Sequence, residues 1–219
     1  MIRLETERLI LRPYREDDLD GFYACVSDPE VVRYEPYRPM SREEARQTLA
    51  SRLDHGEFWA MERKTDGVYI GNLYLGRREF QSLELGYVLA REHWGRGYAR
   101  EGCQALIGEA FRQGAHRIYA ECDPRNEASW RLLERLGMAR EAHLRQNVYF
   151  WTDEQGLLQW KDTYVYALLN PKSGTFRWRT AKNRWARRGN LSRPLQSCGQ
   201  SAMMIAASCR LTMGLFAKE

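Results

Sequence analysis

Residues 83–89 read as a strand, Trp94-Gly95-Arg96-Gly97-Tyr98-Ala99 as a glycine-rich turn, residues 96–113 as an amphipathic helix and residues 118–122 as a short strand. A strand that passes through a helix before the next strand returns parallel to it, joined by a crossover. The residues before this unit ask for the opposite arrangement. Phe58–Arg63, 68–75 and 83–89 are three strand candidates separated only by Asp66-Gly67 and Gly76, which predicts an antiparallel meander. A chain carrying both units has to build a mixed sheet, so the expected class is α+β.

The remaining pattern fits that class. Residues 6–14 set Leu9 and Leu11 against Arg8 and Arg12 and read as a first strand. Leu19, Phe22, Tyr23 and Val26 recur at helical spacing over 17–27, and Asp28-Pro29 stops that helix. Ser41 followed by Glu44 has the spacing of a capping box, predicting a second helix to about His55 with Gly56 after it. On the 96–113 helix, Ala99, Cys103, Leu106 and Ala110 form one stripe, which makes Cys103 a core residue. Asn126 is placed to cap a further helix ending at Gly137, and strands over 144–151 and 160–169 complete the pattern.

A glycine turn that opens a helix gathers unpaired N–H groups and the positive end of the helix dipole, a device for holding a phosphate. The third glycine of a dinucleotide fingerprint would fall at Arg100, and no Gly-Lys-Ser/Thr is present, so neither of those nucleotide loops fits. A glycine turn without a ligand remains open on these six residues alone.

Charge is unevenly spread. The net charge is +5, but residues 172–219 hold ten Lys/Arg and one acid, leaving 24 basic and 28 acidic residues in the rest. Basicity therefore belongs to the tail, where three readings stay open: a poorly ordered extension, a basic aromatic segment that contacts nucleic acid or a membrane surface, or a read-through sequence without a selected role. The expected division is 1–171 as one domain and 172–219 as the extension. Five scattered cysteines show no metal or disulfide spacing, so no metal is expected. No apolar run is long enough to span a bilayer, and the first residues lack a secretory apolar core, which reads as cytoplasmic.

Four ordered motifs carry a resemblance: Thr6-Glu7-Arg8-Leu9-Ile10-Leu11-Arg12-Pro13, Glu84-Leu85-Gly86-Tyr87, the Trp94–Ala99 turn, and Asn126-Glu127-Ala128-Ser129 running to Leu136-Gly137-Met138. Together they resemble the GNAT superfamily of acyl-CoA-dependent N-acetyltransferases, in particular the RimJ/RimL ribosomal-protein alanine acetyltransferases, over residues 1 to about 170. The resemblance implies the GNAT fold, a splayed mixed sheet flanked by helices, with acetyl-CoA as acyl donor and an amine as acceptor. It implies that Trp94, Gly95, Arg96, Gly97, Tyr98, Ala99 and Arg100 hold the pyrophosphate, with Trp94 standing where the family often has Gln or Arg. It further implies that the Val88 N–H meets the thioester oxygen and that Asn126 bonds the pantetheine. A homodimer is left open.

Acetyl transfer to an alkyl ammonium needs a base, because the ammonium has a pKa near ~10. Glu84 resembles the family's strand glutamate and is the candidate; a salt-bridged strand residue is the alternative. The resemblance places Ser129, in its Asn-x-x-Ser position, near the CoA sulfur, where it would protonate the departing thiolate; a first-turn serine satisfying its own helix is the alternative. Tyr34, Glu35 and Tyr37 fall in the loop that shapes the family's acceptor pocket. His93 reads as a surface turn residue. Besides a protein N-terminus or a small amine, the sequence leaves open an aminoglycoside acceptor, drawn to Glu30, Glu35, Glu43 and Glu44, and a non-catalytic acyl-CoA-binding module with a nucleic-acid-binding tail.

Overall fold

The computed structural model describes residues 3–53 and 55–171, so the expectations for residues 172–219 lie outside the described residues. Among the described residues, eight strands form one sheet in the order β1-β2-β3-β4-β5-β6-β8-β7. These are β1 (Leu4–Glu5), β2 (Leu9–Arg12), β3 (Phe58–Arg63), β4 (Tyr69–Arg77), β5 (Ser82–Leu89), β6 (Arg117–Cys122), β7 (Ala139–Thr152) and β8 (Leu158–Leu169). The helices are α1 (Leu19–Val26), α2 (Arg42–Arg52), α3 (Tyr98–Arg112) and α4 (Glu127–Arg135). The meander β3-β4-β5 is antiparallel, and β5 and β6 are parallel across α3, as the two sequence units require.

The strand expected over 6–14 is shorter, β2 covering only Leu9–Arg12, and a two-residue strand, β1, precedes it. Thr6 and Arg8 turn toward α3 instead: the Thr6 hydroxyl donates to Glu101 at 2.5 Å, and the Arg8 amide and guanidinium donate to the same carboxylate at 2.8 and 2.7 Å. The strands of the last hairpin are longer than expected, β7 beginning at Ala139 rather than 144. Its first residues are mostly exposed and include Arg140 and Glu141, so no large apolar side chain announces them; pairing with β8 makes the strand.

Side chains alternate between the two faces of β5. Leu73 on β4 and Met61 on β3 pack against Gly102 of α3, where a Cβ would come within 3.2 Å of both side chains. Tyr166 on β8 reaches Glu134 of α4, so α3 and α4 cover this face. On the other face, Arg52 of α2 lies 4.3 Å from the Phe58 ring centroid, and Gly21 of α1 sits on Tyr69. Leu9, Leu11, Leu73, Leu106, Ile118 and Tyr166 are fully buried between the layers. Truncating one such leucine to alanine costs roughly 2–5 kcal/mol.

A buried ion cluster ties β2 to the turn before α1. Arg12 donates to both oxygens of Asp18 at 2.8 and 2.6 Å and to Glu62 at 2.6 Å, and all three side chains are largely shielded from water. The Ser41 box forms as expected, with the Ser41 amide donating to Glu44 at 2.7 Å and the Glu44 amide donating to the Ser41 hydroxyl at 3.3 Å.

Candidate active site

β5 pairs with β4 from Leu83 to Leu89 but with β6 only from Ser82 to Glu84. Beyond Glu84 the two parallel neighbours diverge, and a cleft of about 940 Å³ opens there, reached by Tyr87, Val88 and Leu89. Ala90 donates its N–H to Ile70 O at 3.0 Å across the β4–β5 ladder. Alternation then turns the Val88 amide toward β4 and the amides of Tyr87 and Leu89 toward the open side. The N–H groups available to a carbonyl oxygen are therefore those flanking Val88, one residue either side of the expected one.

The glycine turn forms one end of the cleft. Gly95 and Gly97 adopt φ of +70° and +81°, left-handed values that other residues adopt only with strain, and Gly97 is the N-cap of α3 with no side chain bonding the helix's first amides. The turn thus offers backbone donors and a helix dipole, with Arg100, Arg131 and Arg135 on the same walls, a donor set that fits a diphosphate. The Trp94 indole donates to Leu89 O at 2.9 Å, satisfying a carbonyl that β6 leaves unpaired. Arg96 does not line the cleft; its carbonyl accepts from Arg8 at 3.0 Å.

His93 is buried, not a surface residue as its turn position suggested, and it lines the cleft. Neither ring nitrogen has a hydrogen-bond partner among the described residues; Nε2 lies 3.1 Å from Glu92 without bonding geometry. Burial holds the imidazole below its ordinary pKa, and Arg63 and Arg96 add to this against the pull of Glu92.

Asn126 caps α4, its side-chain oxygen accepting from the Ser129 N–H at 3.2 Å. Ser129 also has a partner that sequence reasoning missed. The Tyr87 and Ser129 hydroxyls lie 2.8 Å apart, and Tyr87 OH is 3.1 Å from the Ser129 carbonyl. Burial raises the phenol's pKa, and it stays a neutral hydroxyl. Residues 42 apart on different elements leave no local signal; Tyr87 was legible only as part of the Glu84–Tyr87 motif.

Of the acceptor-loop candidates, Tyr34 and Glu35 line the cleft and Tyr37 does not. Tyr34 OH donates to Arg125 O at 3.2 Å, linking this loop to the turn before α4. Tyr37 is half-buried, and desolvation followed by the Glu35 charge pushes its pKa well up. The cleft therefore brings together Val88, Trp94, Gly95, Gly97, Tyr98, Ala99, Arg100, Asn126, Ser129, Tyr34 and Glu35. Glu84 stands apart, at the paired end of β5 and bonded to Arg78; burial raises its pKa, with the Arg78 charge opposing.

Among the described residues there is no group of ligands that could hold a metal ion and no helix long and apolar enough to cross a membrane. A sheet opened along one strand pair, with a glycine turn and helix N-terminus at one end and hydroxyls on its wall, is the architecture of an acyl-CoA-dependent transferase. The chain belongs to the GNAT acetyltransferases: the family model for an acetyltransferase (GNAT) domain matches residues 8–139. Acetyl-CoA is accordingly the acyl donor. The chain is 34% identical over 178 residues to the uncharacterized N-acetyltransferase YoaA of Bacillus subtilis, a match covering 77% of this chain and 97% of the relative. It is 31% identical over 186 residues to the [ribosomal protein uS5]-alanine N-acetyltransferase of Escherichia coli, covering 78% and 92%. A GNAT acetyltransferase structure from Bacillus anthracis superposes with a TM-score of 0.71 at 25% identity over 77% of this chain and 99% of that one.

Proposed function

We propose that the acceptor is a primary amine, at a protein N-terminus or on a small molecule, that attacks the thioester directly at the open half of β5. One observation carries the reading: the paired hydroxyls of Tyr87 and Ser129 share a single cleft with the phosphate turn and with the carboxylate-bearing 30–35 loop. The relationship to the uS5-alanine acetyltransferase favours an N-terminal alanine of a ribosomal protein as the first acceptor to try, which would place the reaction in the cytoplasm.

In this reading the turn and α3 receive the diphosphate, and the pantetheine lies along the edge that β6 leaves free, bonding like an added strand. Open-side amides of β5 stabilise the oxyanion. The departing thiolate, whose thiol has a pKa near ~8.5, takes its proton through the Ser129–Tyr87 pair. Two carboxylates are candidates for the ammonium's proton, Glu84 from the motif and Glu35 from the loop. The test is mass spectrometry after incubation with acetyl-CoA and a library of peptides and small amines. A +42 Da product with stoichiometric CoA release is expected, and CoA binding without any acetylated product would overturn the reading.

A further inference from the structure

Resting on that acetyltransferase reading, we propose that Glu35 is the catalytic residue that binds the acceptor's ammonium and takes its proton. Glu35 lines the cleft with Tyr87, Val88 and Ser129, and its carboxylate accepts no hydrogen bond among the described residues. Glu84 differs on both counts, being outside the cleft lining and bonded to Arg78, which is itself held by Tyr74. A base has to be free to meet its proton, so geometry separates the two before acidity does.

The surroundings of Glu35 suit the task. Arg52 from α2 and Lys161 from β8 face it with positive charge, and Tyr37 in its own loop and Tyr87 from β5 stand within range of its charge. Burial outweighs the two cations and pushes the carboxyl up to about 7. Glu35 is therefore poised to exchange a proton at neutral pH, and an arriving ammonium favours its ionised form.

The protons balance as follows. The ammonium gives one proton to Glu35, which passes it to solvent, and the freed lone pair forms the N–C bond to the thioester carbonyl. As the C–S bond breaks and its electron pair goes to sulfur, a second proton leaves nitrogen and reaches the sulfur through Ser129 and Tyr87. The products are the amide and CoA thiol.

The experiment compares Glu35→Gln, Glu84→Gln and Glu121→Gln, the last because burial and the nearby Glu84 also push Glu121 up to about 7. CoA release is followed with peptides beginning in alanine or serine and with small primary amines, and CoA affinity by calorimetry. Glu35→Gln is expected to lower kcat/KM roughly 10²-fold at pH 7, keep CoA affinity and abolish the rise in rate through pH ~7 that deprotonation of a base produces. The same loss in Glu84→Gln or Glu121→Gln with Glu35→Gln unaffected would overturn the proposal. Absence of turnover by the unsubstituted enzyme would instead strike the acetyltransferase reading. A second measurement stands apart from turnover: carboxyl ¹³C titration of glutamate-labelled protein with acetyl-CoA bound. A signal titrating near pH 7 that disappears in Glu35→Gln is expected; a Glu35 signal titrating at the ordinary ~4.3 would overturn the assignment.

Discussion

β5 has two neighbours and uses them in opposite ways. Toward β4 it is paired along its length, Leu83 with Arg77 through to Leu89 with Gly71; toward β6 it is paired only from Ser82 to Glu84. The paired side carries packing and the Arg12–Asp18–Glu62 cluster, in which each charge has an opposite partner. The open side leaves amides free at Tyr87 and Leu89, and its cleft is lined by His93 and Glu35, whose side chains make no hydrogen bond among the described residues. Unmet polar groups are costly where water is excluded, and the free amides, imidazole and carboxylate gathered at this cleft are groups that a bound ligand can meet.

Substitutions on the two sides should therefore fail differently. Arg12→Ala, on the paired side, strands two buried carboxylates and is expected to destabilise the protein by about 3–5 kcal/mol in denaturant unfolding; a loss under ~1 kcal/mol would show that the scaffold does not depend on this cluster. Glu35→Gln, on the open side, should do the reverse. A carboxyl whose folded pKa lies above its unfolded value contributes stability that is fully present below about pH 4.5 and lost as pH rises through about 7. The variant should thus unfold about 1–3 kcal/mol later than the parent at pH 8 and no differently at pH 4; equal stabilities at both pH values would mean that the site stores no such strain.

Smaller effects sharpen the contrast. Gly97→Ala forces a side chain into a left-handed turn at φ +81° and should weaken CoA binding roughly tenfold by calorimetry; unchanged affinity would remove the turn from the phosphate site. Ser129→Ala leaves the Asn126 cap intact and should lower turnover up to ~10-fold without shifting the melting midpoint appreciably. Asn126→Ala should cost ~1 kcal/mol of stability through the lost cap, and any larger fall in CoA affinity than in stability would assign Asn126 a direct contact.

The legible part of this protein was whatever a short window could hold. The Ser41 box, the Asn126 cap, the meander and the stripe that buries Cys103 follow from spacing alone, and each stands where spacing put it. Readings failed where the deciding partner lay far along the chain. Thr6 and Arg8 leave the strand pattern because Glu101 claims them, and the seven-to-three imbalance of pairings on the two sides of β5 has no signature in β5's own residues.

Local order thus came from the amino-acid pattern: which stretches are helix or strand, where they cap, and that a glycine turn opens α3. Tertiary structure alone decided how far β6 follows β5, which hydroxyl Ser129 would meet, that His93 is enclosed, and that Glu84 is taken by Arg78 while Glu35 stays free. Periodicity and capping are interactions among residues a few positions apart, whereas the divergence of two strands and the environment of a carboxylate are set by everything packed around them.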